Sequence, residues 1–125
     1  MANKSLEGKV AIVTGAGSPI GMGRAMSLAL VGAGARVTMI DINKETLMQS
    51  ASEASKAGGE GCTLPVVADV TNPSDAEMVV RNTVTELGGL HILVNNAGTN
   101  QRNLGFTTAL SQHFWEVPPE AWTKV

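Results

Sequence analysis

The sequence predicts an α/β fold in which helices cover both faces of a parallel β-sheet. Short apolar runs rich in β-branched residues, such as Val10–Val13, alternate with longer segments whose apolar residues repeat at helical spacing. Strands that are apolar throughout are typical of parallel sheets that are buried on both faces. A chain of 125 residues that is 43% hydrophobic is long enough to bury one core. We therefore expect one doubly wound domain over residues 1–125, with a sheet of about four strands.

The first predicted strand is Val10–Val13, and a glycine-rich turn separates it from a helix over about Gly21–Ala33. Gly34 follows the last apolar position and is a natural C-terminal stop. The apolar positions of this helix, at offsets of 0, 4, 7, 8 and 11, predict one buried face made of Met22, Met26, Ala29, Leu30 and Ala33.

Capping residues and glycines define the later elements. Asn43 and Asn72 are predicted N-caps, and Pro73 occupies the first position of the third helix. The predicted bounds are Val37–Asp41 for strand two, Asn43–Ala57 for helix two, Leu64–Ala68 for strand three, Asn72–Leu87 for helix three and His91–Val94 for strand four.

The segment after Gly98 has a weaker pattern. We expect a long loop over Thr99–Val117, with a short helix around Thr107–His113, and a further helix beginning at Pro118.

Composition excludes several classes of partner. The net charge is −2 and the chain has no basic run, so neither nucleic acid nor an anionic membrane is an expected partner. The apolar runs are strand-sized, and the N-terminus lacks the apolar core of a signal peptide. A single cysteine, Cys62, excludes an internal disulfide and fits a reducing compartment, so we expect a cytoplasmic protein. His91 and His113 with Cys62 do not form a metal-ligand set.

The turn between the first strand and the first helix predicts a nucleotide site of the Rossmann type. Glycines in front of a helix expose unpaired N–H groups, which together with the helix dipole can bind a pyrophosphate. No Gly-Lys-Ser/Thr follows, so the turn is not a P-loop. Asp41 ends the second strand 18 residues after Gly23. The dinucleotide pattern has its ribose-binding acid about 20 residues on, so Asp41 is the expected partner of the ribose diol.

A second motif extends this prediction to a known family. The run Gly89-Leu90-His91-Ile92-Leu93-Val94-Asn95-Asn96-Ala97-Gly98, with Thr14-Gly15 and Asp69-Val70, resembles the short-chain dehydrogenase/reductase family. The resemblance extends from Leu6 to about Trp122. It implies that the Thr-Gly loop holds the pyrophosphate, that Asp-Val lines the adenine pocket and that Asn-Asn-Ala-Gly lies beside the nicotinamide ribose. The resemblance also implies that Asn95, the first asparagine of this motif, ties the central strands together.

The resemblance and the glycine turn give the full set of expected cofactor-binding residues. Ser18 in the turn and Ile42 beside Asp41 are included with the positions that match the family motifs. The set is Gly15, Ser18, Gly21, Met22, Asp41, Ile42, Asp69, Val70, Asn95, Ala97 and Gly98.

Three features depart from the family pattern. Five residues separate Gly15 from Gly21, where the family usually has three, so the turn must be reshaped. His91 stands where the family usually has an aspartate, and we expect it either to have a structural role or to face solvent. The segment Thr99–Trp115 is longer than the family norm and is expected to form a flap over the substrate mouth.

The resemblance implies an oxidoreductase that transfers a hydride between NAD(H) and a small alcohol or ketone, and that forms homo-oligomers at full length. The family's catalytic asparagine, serine and Tyr-x-x-x-Lys lie beyond the end of this chain, which contains no tyrosine. We therefore expect no catalytic residue in this chain, which would be the cofactor-binding half of a domain about twice as long and inactive alone.

Two other functions remain open on the sequence. One is a nucleotide-binding module without catalysis. The other is a domain that binds S-adenosylmethionine, which also uses a glycine loop and an acid after strand two. The Thr-Gly and Asn-Asn-Ala-Gly motifs argue against the second alternative.

Overall fold

The computed structural model describes residues 4–99, 115 and 119–122, and within them the chain forms a four-stranded parallel sheet with helices. The strand order is β3-β2-β1-β4, so the chain reverses its direction of winding between β1 and β4. The elements are β1 Val10–Thr14, α1 Met22–Gly32, β2 Arg36–Asp41, α2 Lys44–Gly58, β3 Thr63–Val67, α3 Pro73–Leu87, β4 Ile92–Val94 and α4 Pro119–Trp122.

The predicted α/β fold is confirmed, and the predicted bounds agree with the structure to within one or two residues. Asn43 and Asn72 cap their helices as expected. The Asn43 side chain accepts a hydrogen bond from the Thr46 N–H, and the Asn72 side chain accepts from Ser74 and Asp75. The expected short helix at 107–113 lies outside the described residues, as does the expected flap apart from its end residues.

One face of the sheet packs against α1 and α2. This core contains inward-facing residues of β1 and β2, such as Val13 and Met39, which are fully buried. On the opposite face Ile12 and Ile40 pack against α3 through Val79. The sheet is therefore covered on both faces, as its uniformly apolar strands require.

The predicted buried face of the first helix is wrong at Met22 and Ala29, whereas Leu30 is partly buried and packs against the core. The residues that α1 buries are Gly23, Ser27 and Val31, whereas Met22 is 74% exposed and Ala29 is also exposed. Close approach of the helix to the sheet explains this difference. The helix can approach because Gly23 and Ser27 are small, and the Ser27 hydroxyl is satisfied within the helix by the Gly23 carbonyl at 2.8 Å.

His91 joins β1 to the entry of β4. Its backbone N–H donates to the Val10 carbonyl at 2.9 Å, and its Nδ1 accepts a hydrogen bond from the Val10 N–H at 3.0 Å. Val10 is fully buried, so one residue satisfies both of its backbone polar groups. This contact agrees with the structural role expected for His91.

Candidate functional site

The expected cofactor-binding residues all lie at or after the carboxyl ends of strands. Because the four strands are parallel, these ends lie along one edge of the sheet. The reversal of winding between β1 and β4 opens a crevice at this edge, which is where ligands bind in open α/β sheets. The residues after β1 and after β4 border that crevice.

Two glycines bring the turn after β1, the turn after β4 and the start of α1 into contact. Gly15 has φ +66°, and a Cβ there would lie 2.8 Å from Cα of Ala97. A Cβ on Gly23 would overlap the Gly15 carbonyl oxygen and lie 2.6 Å from Nδ2 of Asn96. Glycine at 15 is needed for both its conformation and its space, whereas glycine at 23 is needed for space.

The N-terminus of α1 is suited to an anion. Gly21 is the N-cap, and it has no side chain with which to satisfy the free N–H groups of the first turn. That turn also contains no acidic residue to neutralise the positive end of the helix dipole. A phosphate group supplies both the hydrogen-bond acceptors and the negative charge that such an end favours.

The lengthened turn divides into a fixed part and an exposed part. The Ala16 N–H donates to the Ile40 carbonyl at 2.9 Å, which continues the β1–β2 pairing past the strand end. Ser18 begins a tight turn in which its carbonyl accepts from the Gly21 N–H at 3.1 Å. Pro19 occupies the second position of that turn, for which its φ is suited. The additional length therefore extends into solvent at 18–20, where Ile20 is 96% exposed.

Asp41 lies beside the turn with both carboxylate oxygens engaged. Oδ2 accepts from the Gly17 N–H at 2.9 Å, and Oδ1 accepts from the Asn43 N–H at 3.2 Å. Each oxygen of a carboxylate has two acceptor sites, so each retains one for a ligand hydroxyl. The half-buried carboxylate is thus held in a fixed orientation with two acceptors still available.

Two apolar side chains flank the adjoining strand ends. Ile42, directly after β2, is 72% exposed, and Val70, which follows β3, is 51% exposed. Apolar side chains at neighbouring strand ends offer contact surface to a planar aromatic ring.

Asp69 precedes Val70 and is stabilised in its ionised form. Its Oδ1 accepts from the Thr71 hydroxyl at 2.6 Å and from the Thr71 N–H at 2.9 Å. These two bonds, the hydroxyl first, lower the pKa of the carboxyl from its ordinary value of 3.8. Oδ2 has no hydrogen bond to any described residue, so it is available as an acceptor.

The residues after β4 are tied to β1 by Thr14 and Asn96. The Thr14 hydroxyl accepts from the N–H groups of Asn96 at 3.0 Å and Ala97 at 2.9 Å, and it donates to the Val94 carbonyl at 3.4 Å. Asn96 Nδ2 donates to the carbonyls of Thr14 and Gly15. The expectation that Asn95 ties the central strands is therefore wrong, because Asn96 makes these bonds while Asn95 is exposed.

Neither a metal cluster nor a spanning helix occurs in the part of the chain that the structure describes. No group of three or more His, Cys, Asp or Glu side chains could hold a metal ion there. No described helix has the length and apolar character needed to cross a bilayer.

Comparison with a family model decides the classification. The model for short-chain dehydrogenases matches residues 9–124. The chain belongs to the short-chain dehydrogenase family. Family membership also removes the S-adenosylmethionine-binding domain from consideration, because the match extends over nearly all of the chain.

Solved structures and curated relatives agree with this classification. The mouse dehydrogenase/reductase SDR family member 1 is 36% identical over 96% of this chain. A short-chain dehydrogenase/reductase from Burkholderia phymatum in complex with NAD is 28% identical over 94% of the chain, with a TM-score of 0.75. The L-sorbose reductase of Gluconobacter frateurii, complexed with NADPH and L-sorbose, is 30% identical over 97%, with a TM-score of 0.76. The chain spans 37%, 37% and 41% of the lengths of these three proteins.

Sequence reasoning missed three residues that shape the site. Thr14 enters the sequence prediction only as part of the Thr-Gly motif, although a hydroxyl at the end of a buried strand must find hydrogen-bond partners there. Asn96 makes the hydrogen bonds to the end of β1, whereas the family resemblance points to Asn95. Gly17 contacts Asp41, and the sequence does not distinguish it from the other residues of the glycine-rich turn.

Proposed function

We propose that this chain is the NAD-binding half of a short-chain dehydrogenase/reductase that acts on small alcohols or ketones. The observation that carries the proposal is the Asp41 carboxylate, fixed beside the glycine turn with two acceptor sites available. These sites suit the two hydroxyls of the adenosine ribose. The short-chain dehydrogenases bind a nicotinamide cofactor, and the solved relatives include complexes with NAD and with NADPH.

The turn and the start of α1 would hold the pyrophosphate. Gly21 and Met22 begin the helix whose N–H groups are uncapped, and Gly15 and Ser18 border the same turn. The absence of a Cβ at Gly15 and Gly23 lets the turn lie close to the helix start. A Cβ at either position would displace the backbone that must face the phosphates.

The adenine ring would lie between the exposed side chains of Ile42 and Val70. Asp69 is suited to accept a hydrogen bond from the adenine amino group through its available oxygen, Oδ2. The nicotinamide ribose would lie along the turn after β4, at Asn95, Ala97 and Gly98. The Thr14 bonds to Asn96 and Ala97 hold that turn against the end of β1.

The proposed preference for NAD over NADP rests on charge. A 2′-phosphate would meet the Asp41 carboxylate at close range, and positions 15–21 and 42–43 contain no Lys or Arg to offset that repulsion. An uncharged ribose diol has no such cost.

Bound nicotinamide supplies the hydride donor or acceptor for such a reaction. The chain's own residues bind and orient, but hydride transfer at an alcohol carbon also needs a general acid or base beside it. Residues 1–125 contain no tyrosine, so the acid or base that the family resemblance implies is not among them. We infer that residues 1–125 provide the cofactor half of the family domain, and that an alcohol or ketone binds to the other half.

A nucleotide-binding module without catalysis is the second candidate, because the roles proposed for the described residues are all in binding and orienting the cofactor. We further propose a cytoplasmic location, supported by the single buried thiol of Cys62. Homo-oligomer formation at full length is proposed from the resemblance alone.

Asp41→Ala tests the proposed cofactor preference. NAD affinity should fall about tenfold or more, since hydrogen bonds to a charged group are removed, while NADP affinity should stay the same or rise. The measurement is calorimetric titration of both proteins with each cofactor. Tighter binding of NADP by the wild type, or an unchanged preference in the variant, would reject the proposal.

A further inference from the structure

Gly17 is held by hydrogen bonds at both of its backbone polar groups. Its N–H donates to Oδ2 of Asp41 at 2.9 Å, and its carbonyl accepts from the hydroxyl of Ser50 in α2 at 3.3 Å. Gly17 itself is buried, and Ser50 is only 2% exposed. Gly17 therefore connects the end of β2 to α2, and its N–H has a fixed direction towards the carboxylate.

Asp41 also occupies the space that a side chain at position 17 would need. A Cβ on Gly17 would lie 2.8 Å from Cγ, 2.8 Å from Oδ2 and 2.9 Å from Cβ of Asp41. The backbone of Gly17 is not in the left-handed region, so an L residue could adopt its conformation. Glycine is required here for space, and the group that requires the space is the Asp41 side chain.

We propose that Gly17 is a specificity-determining residue that sets the preference for NAD over NADP by positioning the Asp41 carboxylate. Gly17 needs no contact with the ribose for this role. Its N–H fixes Oδ2, the Asn43 N–H fixes Oδ1, and the remaining acceptor sites are left directed at the ligand. The inference rests on the proposed function, since it assumes that the ligand of Asp41 is the adenosine ribose of NAD.

A double-variant cycle separates positioning from a general effect on folding. The variants are Gly17→Ala, Asp41→Gly and the combination of both. Asp41→Gly is chosen because it removes all three atoms that the new Cβ would meet, whereas alanine would leave one of them. Gly32→Ala is the matched control, because a Cβ there meets no atom within 4 Å and its φ is not positive.

The readouts are the affinities of the full chain for NAD and for NADP by calorimetry, with thermal unfolding of each variant. Gly17→Ala should lower NAD affinity about tenfold, as expected when a charged group loses a hydrogen bond, and should change NADP affinity less. The ratio of NAD affinity to NADP affinity should therefore fall towards the ratio measured for Asp41→Gly. In the Asp41→Gly background the same substitution should change NAD affinity less than twofold, and Gly32→Ala should change neither affinity.

An unchanged ratio in Gly17→Ala would overturn the inference, as would an equal loss of NAD affinity in both backgrounds. If Gly17→Ala does not fold, Ser50→Ala decides, because it frees the Gly17 carbonyl without adding atoms. A lowered ratio in Ser50→Ala would then support the inference, and an unchanged ratio would overturn it. Failure of the wild type to bind either cofactor would instead reject the proposed function, so the two failures are distinguishable.

Discussion

Asp69 uses one carboxylate oxygen to hold its own turn and leaves the other available. The Thr71 hydroxyl and N–H both bind Oδ1, which fixes the side chain and lowers the pKa of the carboxyl. A carboxylate at a strand end thus acts as a structural acceptor and as a ligand acceptor at once. Asp41 has the same dual use, with one N–H donor on each oxygen.

Thr71→Val should raise the pKa of Asp69 towards its ordinary value of 3.8, because the valine cannot donate the hydroxyl hydrogen bond, the larger of the two causes. The Asp69 carboxyl resonance followed by NMR through an acid titration measures this shift. Thr71→Ser is the control, since it keeps the hydroxyl and should keep the lowered pKa. An equal pKa in the wild type and Thr71→Val would contradict the assignment.

The hydrogen bonds between Asp69 and Thr71 also make the free energy of unfolding depend on pH. A pKa that is lowered by folding adds stability that is fully present above the ordinary value and disappears as the pH falls through the lowered value. The difference in free energy of unfolding between wild type and Thr71→Val should therefore narrow on the acid side of 3.8. Chemical denaturation of the wild type and of Thr71→Val, at neutral and at acid pH, measures this difference.

The ability of sequence to predict the site varied with residue type. The position of Asp41 beside the glycine turn could be predicted, because it depends only on where β2 ends and on the spacing from the glycines. Both can be read directly from the sequence. The roles of Asn95 and Asn96 could not be separated, because adjacent residues after a strand point in different directions and the exact exit of β4 decides between them. The role of Gly17 could not be predicted, because it depends on a contact with Asp41, 24 residues away, and the sequence does not show which residue of the turn makes that contact.

At the scale of elements, β1 is the organising strand of the sheet. It pairs with β2 over five residues and with β4 over three. At its amino end His91 satisfies both backbone groups of Val10, and at its carboxyl end Thr14 satisfies the N–H groups of Asn96 and Ala97. The side chains of His91 and Thr14 thus add hydrogen bonds between β1 and β4 beyond the three residues that pair.

His91→Leu should destabilise the fold by about 1–3 kcal/mol, because the buried Val10 N–H loses its acceptor. Chemical denaturation measures this change. His91→Asp restores an acceptor and the residue usual in the family, so its loss should be smaller. Equal stability of wild type and His91→Leu would show that the side-chain bond does not hold β4 in place.

The order and bounds of the elements could be predicted because caps and glycines are local signals. Asn72 and Pro73 define the start of α3, and Gly88 ends it in the left-handed conformation. The buried face of α1 could not be predicted from hydrophobic spacing, because the close approach of the sheet selects small residues there. Val80 and Val84 of α3 remain partly exposed because the described part of the chain does not cover that side of the helix.

At the scale of the whole molecule, β4 is an edge strand of the sheet that the described residues form. Within the described residues β4 pairs with β1 alone, and Leu93 is 57% exposed. Such an edge presents apolar side chains and unpaired backbone groups, which favours association with another strand.

The 125-residue chain by itself should show no dehydrogenase turnover, because no tyrosine is present to act as acid or base. An assay of NAD reduction over a panel of secondary alcohols measures this, with size-exclusion chromatography to record association through the open edge. Turnover well above background in a monodisperse sample would contradict the expectation.

The central claim is that the carboxyl edge of the sheet binds NAD, and an NMR titration of the ¹⁵N-labelled chain tests it most directly. We predict that NAD shifts the amide signals of residues 15–24, 41–43, 69–71 and 95–98, while signals at the amino ends of the strands, such as Arg36 and Thr63, remain in place. NADP at the same concentration should produce smaller shifts, because the Asp41 carboxylate repels its 2′-phosphate. Shifts confined to the amino ends, or no shifts in a folded sample at millimolar NAD, would contradict the account.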